Sequence, residues 1–278
     1  MTTIPTYDAI RAIAVRLVQE HYPTAVAAII GGSFATGRQT PTSDIDLLLL
    51  FEHVDCAWRS TIVAEGRTVE LFAHDLATFT YFCKEMDAPG GTVPLAHMVL
   101  EGENILAPGD ACAGLHALAH AIDAAGPPVL DEENVQRRRY AITTALEDLV
   151  DSTQPGEALA VACQLYAALA DLHLRAAGQW SGGGKHLFRC LQAFDAAIAG
   201  QLDGALRLVA SDLAAGQRAF EHVTAAVLAP VGGPLLDGFT LPAPAHWRSA
   251  PAVLVTSAAW WPTVKAMCCW PIPPLFAA

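Results

Sequence analysis

The chain has 278 residues, 53% hydrophobic and 16% charged, enough apolar material for a sizeable core, which excludes disorder as its organising state. Its 16 Lys and Arg stand against 28 Asp and Glu, a formal net charge of −12, and this disfavours a long nucleic acid as the main partner because neutralising a phosphate backbone needs clustered basic side chains. Seven cysteines, an odd number without a Cys-x-x-Cys pair, indicate neither a disulfide framework nor a zinc knuckle and suit a reducing cytoplasm.

Met1 to Pro5, followed by Asp8 and Arg11 in an amphipathic pattern, lacks a basic stretch leading into an apolar run, so no export signal is expected. Ile10, Ile13, Ala14, Leu17 and Val18 fall at helical spacing after Pro5-Thr6 and predict an opening helix. Ala25 to Ile30, closed by Gly31-Gly32, and Ile45 to Phe51 read as two strands, with a loop from Ser33 to Ser43 between them. Thr61 to Val63 and Thr68 to Ala73, joined across Gly66, read as a hairpin, and helical patterns take over from Leu76.

Gly126-Pro127-Pro128 followed by Asp131-Glu132-Glu133 is a breaker and then a fresh helix start, since acidic side chains favour the first helical turn. The expected boundary lies there, with a sheet-containing domain over 1–126 and a helical domain over 127–278. Beyond it, one helix carries Ile142, Ala145, Leu146, Leu149 and Val150, and a second runs from Ala158 to Ala177. Leu187 to Ile198 and Leu202 to Val227 supply two more, and together they predict an Ala-rich bundle. Pro251 to Ala278 is apolar with Lys265 as its single charge, but Pro262, Pro271, Pro273 and Pro274 interrupt it, so it reads as soluble packing segments and not a membrane span; Cys268-Cys269 within it is assigned to packing.

The segment that carries chemistry is Gly32-Ser33 to Asp44-Ile45-Asp46, entering Leu47-Leu48-Leu49-Leu50. Strand alternation points Asp44 and Asp46 to one side while Ile45 and Leu47 face a core. Paired carboxylates repel, and a cation is the economical remedy; oxygen-only ligands suit Mg²⁺ or Mn²⁺. Glu70, inside the apolar Val69-Glu70-Leu71-Phe72, is costly to bury alone and is the natural third ligand. Gly32-Ser33 offers unhindered backbone and a hydroxyl for phosphate oxygens. The competing reading makes Asp44 a cap, Asp46 a solvated acid and Glu70 a partner of Arg67 across the hairpin.

Gly-Ser, a spacer, Asp-x-Asp entering an apolar strand and a lone acid on a later strand resemble the polymerase-beta-type nucleotidyltransferase superfamily over about residues 25 to 75. The two-domain layout is similar to the aminoglycoside and lincosamide nucleotidyltransferases. The resemblance implies an α/β mixed-sheet nucleotidyltransferase domain followed by an all-α helical bundle that helps bind the acceptor. It implies that Asp44 and Asp46 ligate two divalent metals, that Glu70 joins the catalytic one, and that Gly32 and Ser33 hold a nucleoside triphosphate. The implied reaction moves a nucleoside monophosphate, such as AMP from ATP, onto a hydroxyl of a small acceptor, an aminoglycoside-like antibiotic being the type. Two other readings are a toxin-antitoxin transferase acting on a protein or a tRNA end, which the acidic balance disfavours for tRNA, and a nucleotide-binding module without turnover.

Lys185 follows Gly182-Gly183-Gly184 at a helix start and could reach triphosphate oxygens, although the phosphate-loop signature fails at Gln179 and His186. Arg38, in the loop after Ser33, is a second nucleotide-binding candidate. Thr144, Asp148 and Asp151 share a helix face that could present a general base, with Asp148 its candidate, or stand as a solvated surface. His116 and His120 lack a third ligand and read as ordinary helix residues.

Overall fold

A computed structural model describes residues 4–243 of the chain. The expectations for Pro251 to Ala278, Cys268 and Cys269 included, lie outside the described residues. The chain opens with helix α1 (Tyr7–His21), whose first turn is capped by Thr6. It then builds a mixed five-stranded sheet from β1 (Ala27–Ile30), β2 (Ile45–Leu50), β3 (Trp58–Ala64), β4 (Arg67–His74) and β5 (Glu103–Asn104) in the order β3-β4-β2-β1-β5. β2 and β4 run parallel, and all other pairings are antiparallel. β3 begins three residues before and ends one residue after the expected Thr61–Val63, because pairing and not hydrophobicity sets its ends. Glu65 and Gly66 both take positive φ, 49° and 75°, and close β3 onto β4 in the tight turn that suits the twist of a hairpin.

Alternation divides the sheet into two buried faces. Ala28, Ile30, Ile45, Leu47, Leu49, Val69 and Leu71 pack against Ile10, Ala14, Leu17 and Val18 of α1. Ala27, Ile29, Leu48, Leu50 and Phe72 face the other way, under Phe79 of α3 (Leu76–Tyr81), Val99 of α4 (Pro94–Glu101) and Leu115 of α5 (Asp110–Ala125). A π-helical turn, Phe82–Asp87, continues α3. The expected loop after β1 begins instead with one helical turn, α2 (Gly32–Ala35), because Gly32 takes φ +64° and bends the chain away from the strand.

The Gly126–Pro128 break separates α5 from α6 (Glu132–Asp151). With α7 (Pro155–Ala176), α8 (Lys185–Phe194), α9 (Ala196–Ser211) and α10 (Leu213–Leu228), α6 forms a bundle around its own core, centred on Leu165, Leu169, Leu202 and Phe220. The two helices expected over Leu187–Ile198 and Leu202–Val227 are three. Asp195 and Asp212 leave helical backbone geometry and accept hydrogen bonds from Ile198 N–H (3.0 Å) and Ala215 N–H (3.0 Å), so each ends one helix and caps the next without a glycine or proline. After α10, the Arg139 guanidinium holds the carbonyls of Gly232 and Gly233, and Tyr140 stacks on Phe239 at 4.1 Å, fastening the chain back onto α6.

The α7–α8 loop joins the bundle to the sheet region. Trp180 packs at the edge of the α4–α5 core and donates from Nε1 to the Asp123 carbonyl at 3.0 Å; Ser181 N–H donates to Gly91 O at 2.7 Å. Arg175, 4% exposed, donates to Pro128 O at 2.9 Å, and its guanidinium lies where a side chain at Gly91 would otherwise be. All these elements belong to one compact unit, Met1–Phe239. Among the described residues no helix is long and apolar enough to cross a membrane.

Asp212→Ala should lower stability in urea by about 1 kcal/mol with an unchanged denaturant slope, the cost of losing a helix cap. An unchanged midpoint would show that the α9–α10 break is set by packing and not by the Asp212 carboxylate.

Candidate active site

The parallel pairing of β2 with β4 sets Asp46 directly beside Glu70. Asp44 lies two residues earlier, just before β2 begins, and carboxylate oxygens of all three acids fall within 4.8 Å of one another. The alternation read from the sequence holds, since Ile45 and Leu47 are wholly buried on the α1 face while Asp46 is directed to the other side. The turn leaving β1 lies against this cluster. Gly31 N–H donates to Asp46 O at 2.9 Å, and a Cβ at Gly32 would come within 1.8 Å of Asp46 Oδ2. With φ +64° as well, Gly32 is required on two counts, conformation and space. The Thr36 hydroxyl donates to Gly32 O at 3.0 Å and Arg38 N–H to Ser33 O at 2.9 Å, which pin the Gly32-Ser33 turn beside the acids.

Crowding shows in the electrostatics. Burial, then the charges of Asp44 and Glu70, push the Asp46 carboxyl up to about 6, with Lys185 and Arg59 acting in the opposite sense. Lys185, first residue of α8, is therefore near enough for its charge to register at Asp46. Arg38 is exposed, is not among the charges acting on Asp46, and its side chain has no hydrogen-bond partner among the described residues. Asp148 is not one of the clustered acids; it is exposed near the C-terminal end of α6, ten residues past Arg138, which pairs with Asp171 of α7.

The structure gives Arg67 and Glu70 partners other than each other. Arg67 donates to Pro41 O at 3.2 Å and not to Glu70; the turn before Asp44 is closed by Ser43 Oγ, which accepts from Thr40 N–H at 2.9 Å. Glu70 Oε2 instead accepts from Arg59 Nη2 at 2.6 Å. Arg59 carries no sequence signal of its own, because the strand pattern begins at Thr61 while the pairing begins at Trp58. Extending the hairpin by its register, Ala64 opposite Arg67 back to Arg59 opposite Phe72, places it on the Glu70 face. Three carboxylates in mutual reach, one of them resisting ionisation, fit a hard divalent cation such as Mg²⁺ or Mn²⁺.

Residues 11–85 match the model of the nucleotidyltransferase domain family, and the match takes in Gly32, Ser33, all three acids and Arg59. The matched segment is the part of the chain that holds the acid cluster. No curated protein matches the chain. Among solved structures, a nucleotidyltransferase-like protein from Exiguobacterium sibiricum 255-15 is similar, at 12% identity and a TM-score of 0.42, over 80% of this chain and 76% of that one.

An acid whose pKa rises on folding destabilises the folded state as it ionises. The metal-free protein should lose stability as pH climbs from the ordinary Asp value, 3.8, through about 6. Asp46→Asn is neutral throughout, so metal-free it should be more stable than wild type near pH 7.5 by about 1 to 2 kcal/mol, allowing for partial solvent contact. The advantage should vanish towards pH 4. Thermal melts across that pH series check the sign, and an Asp46→Asn chain melting below wild type near neutrality would make Asp46 a structural residue.

Proposed function

We propose that the protein transfers a nucleoside monophosphate, AMP from ATP being the first case to test, to a hydroxyl of a small molecule bound between the sheet and the bundle. The observation that carries this reading is the meeting of Asp44, Asp46 and Glu70 beside the Gly32-Ser33 turn, inside the segment that matches the nucleotidyltransferase domain.

Asp44 and Asp46 would hold two divalent ions and Glu70 would join the catalytic one; bound ions supply charge neutralisation at the α-phosphate and the leaving pyrophosphate. The Gly32 backbone can approach phosphate oxygens closely, and the Ser33 hydroxyl can donate to them. Lys185 approaches from the α8 side, where its ammonium can pair with the outer phosphates. The acceptor oxygen forms a bond to the α-phosphorus in line with the α–β bridging oxygen. That P–O bond breaks with its electron pair leaving on pyrophosphate, and the hydroxyl proton passes to water or a carboxylate at the site.

We assign residues 1–126 to nucleotide and metal and 127 onward to the acceptor wall, since the sheet region alone supplies all three acids and α8 comes from the bundle. The net charge of −12 favours small, neutral or cationic acceptors over nucleic acid, and an aminoglycoside-like antibiotic is one class that fits. The free thiols Cys83, Cys112 and Cys190 suit a reducing cytoplasm.

Acceptor screening with labelled triphosphates, read as product and released pyrophosphate, tests the reading directly. Asp46→Asn should cut transfer by on the order of a hundredfold or more while the protein stays folded, as removal of a group stabilising transition-state charge does. Wild-type turnover by folded Asp46→Asn would refute the site. Lys185→Ala should weaken triphosphate binding by about 1 to 3 kcal/mol, the scale of a charge-assisted contact, with less effect on single-turnover transfer. Calorimetry showing unchanged nucleotide affinity would return Lys185 to the solvated surface.

A further inference from the structure

Of the three acids, Glu70 alone has a basic side chain in hydrogen-bond contact among the described residues. Arg59 reaches it from β3 through one nitrogen, Nη2 to Oε2 at 2.6 Å. The two partners are unequally placed, the Arg59 side chain being 61% exposed and that of Glu70 22%. Arg59 also rests on a platform, its guanidinium carbon 4.9 Å from the centroid of Phe72, the residue directly opposite it in the hairpin register. An exposed arginine leaves one hydrogen bond at small cost. The aromatic face beneath it keeps the cation close even when Glu70 is otherwise engaged.

We propose that Arg59 is an internal counter-cation of the acid cluster: it occupies Glu70 in the absence of ligand, keeps the site weak for a divalent metal alone, and yields when metal and triphosphate arrive together. The proposal rests on the metal-triphosphate reading of the same three acids. A guanidinium and a dication compete for one carboxylate, and a guanidinium retained over Phe72 goes on repelling the metal after displacement. A triphosphate cancels that repulsion with its own charge and offers the released fork of N–H donors oxygens to bind. Metal and nucleotide then strengthen each other through Arg59, a coupling that must act equally in both directions. Were the Arg59 charge fully screened from the acids by solvent, its removal would leave three carboxylates within 4.8 Å to bind metal with unaltered affinity.

The test is Mn²⁺ binding to the full chain, followed by electron paramagnetic resonance with and without a non-hydrolysable triphosphate. Arg59→Gln should tighten nucleotide-free Mn²⁺ binding by about threefold to tenfold, the effect of removing one charge several ångströms from a dication in a largely aqueous setting. It should also shrink the gain in Mn²⁺ affinity that the triphosphate brings. Arg59→Lys, which keeps the charge, should stay near the wild-type nucleotide-free value. Unchanged or weaker Mn²⁺ binding by Arg59→Gln overturns the proposal, as does Arg59→Lys binding as tightly as the glutamine variant. Failure of the wild type to bind Mn²⁺ under either condition would overturn the metal reading itself, and this one with it.

Discussion

The parallel register of β2 and β4 is the constraint from which the site follows. Neighbouring strands stand about 4.8 Å apart, so an acid on each at the same level cannot keep its charge to itself. Asp46 and Glu70 are such a pair, and Asp44 enters from the residue before the strand. A parallel pair at the centre of a sheet is covered on both faces, and here α1 closes one side while α3, α4 and α5 close the other. The apolar cover that holds the register is what removes Asp46 from water, and burial is the leading reason its carboxyl sits near 6. Fold and chemical strain therefore have one origin.

That strain sets stability against function. An active site of clustered like charges is destabilising until a ligand neutralises it, and such sites persist where the surrounding structure over-determines them. Here the over-determination is visible. Ile45 and Leu47, flanking Asp46 in sequence, are wholly buried against α1, and the Gly32 turn leaves no room for Asp46 to retreat. Two of the chain's own cations moderate the charge, Arg59 from β3 and Lys185 from α8.

The sequence made the chemistry more legible than the packing. Alternation over Asp44-Ile45-Asp46-Leu47 announced both the strand and the direction of its acids, because a period of two needs only four residues to be read. Glu70 announced itself as a charge in an apolar run. What escaped was whatever depended on partners remote in sequence. Arg59 required the hairpin register, and the apolar run marking β3 ended short of it. Trp180, a lone aromatic in a loop, carries no period, although it docks the bundle onto the α4–α5 core. The breaks at Asp195 and Asp212 lacked the glycine or proline that usually signals a helix end, and β5 is too short to pattern. For Asp148, helical spacing marks both its element and its solvent-facing side.

The junction decides which parts of the bundle can reach the acids. α7 runs towards the sheet region, and at its end Arg175 meets Gly91 and the Pro128 carbonyl, both outside the bundle core. Two residues past the turn, Trp180 and Ser181 anchor to Asp123 and Gly91. Only three residues, Gly182 to Gly184, then separate the Ser181 anchor from Lys185, and an extended chain covers at most about 3.5 Å per residue, so the start of α8 is confined near the sheet region whatever the glycines between them do. Gly184, at φ +52° and ψ −122°, makes the reversal that starts α8 at Lys185, whose charge acts on Asp46. The three glycines before Lys185 thus give the chain a sharp corner and not a phosphate cradle, and the phosphate-loop signature fails there for a physical reason: the corner follows a helix, where that loop must follow a strand.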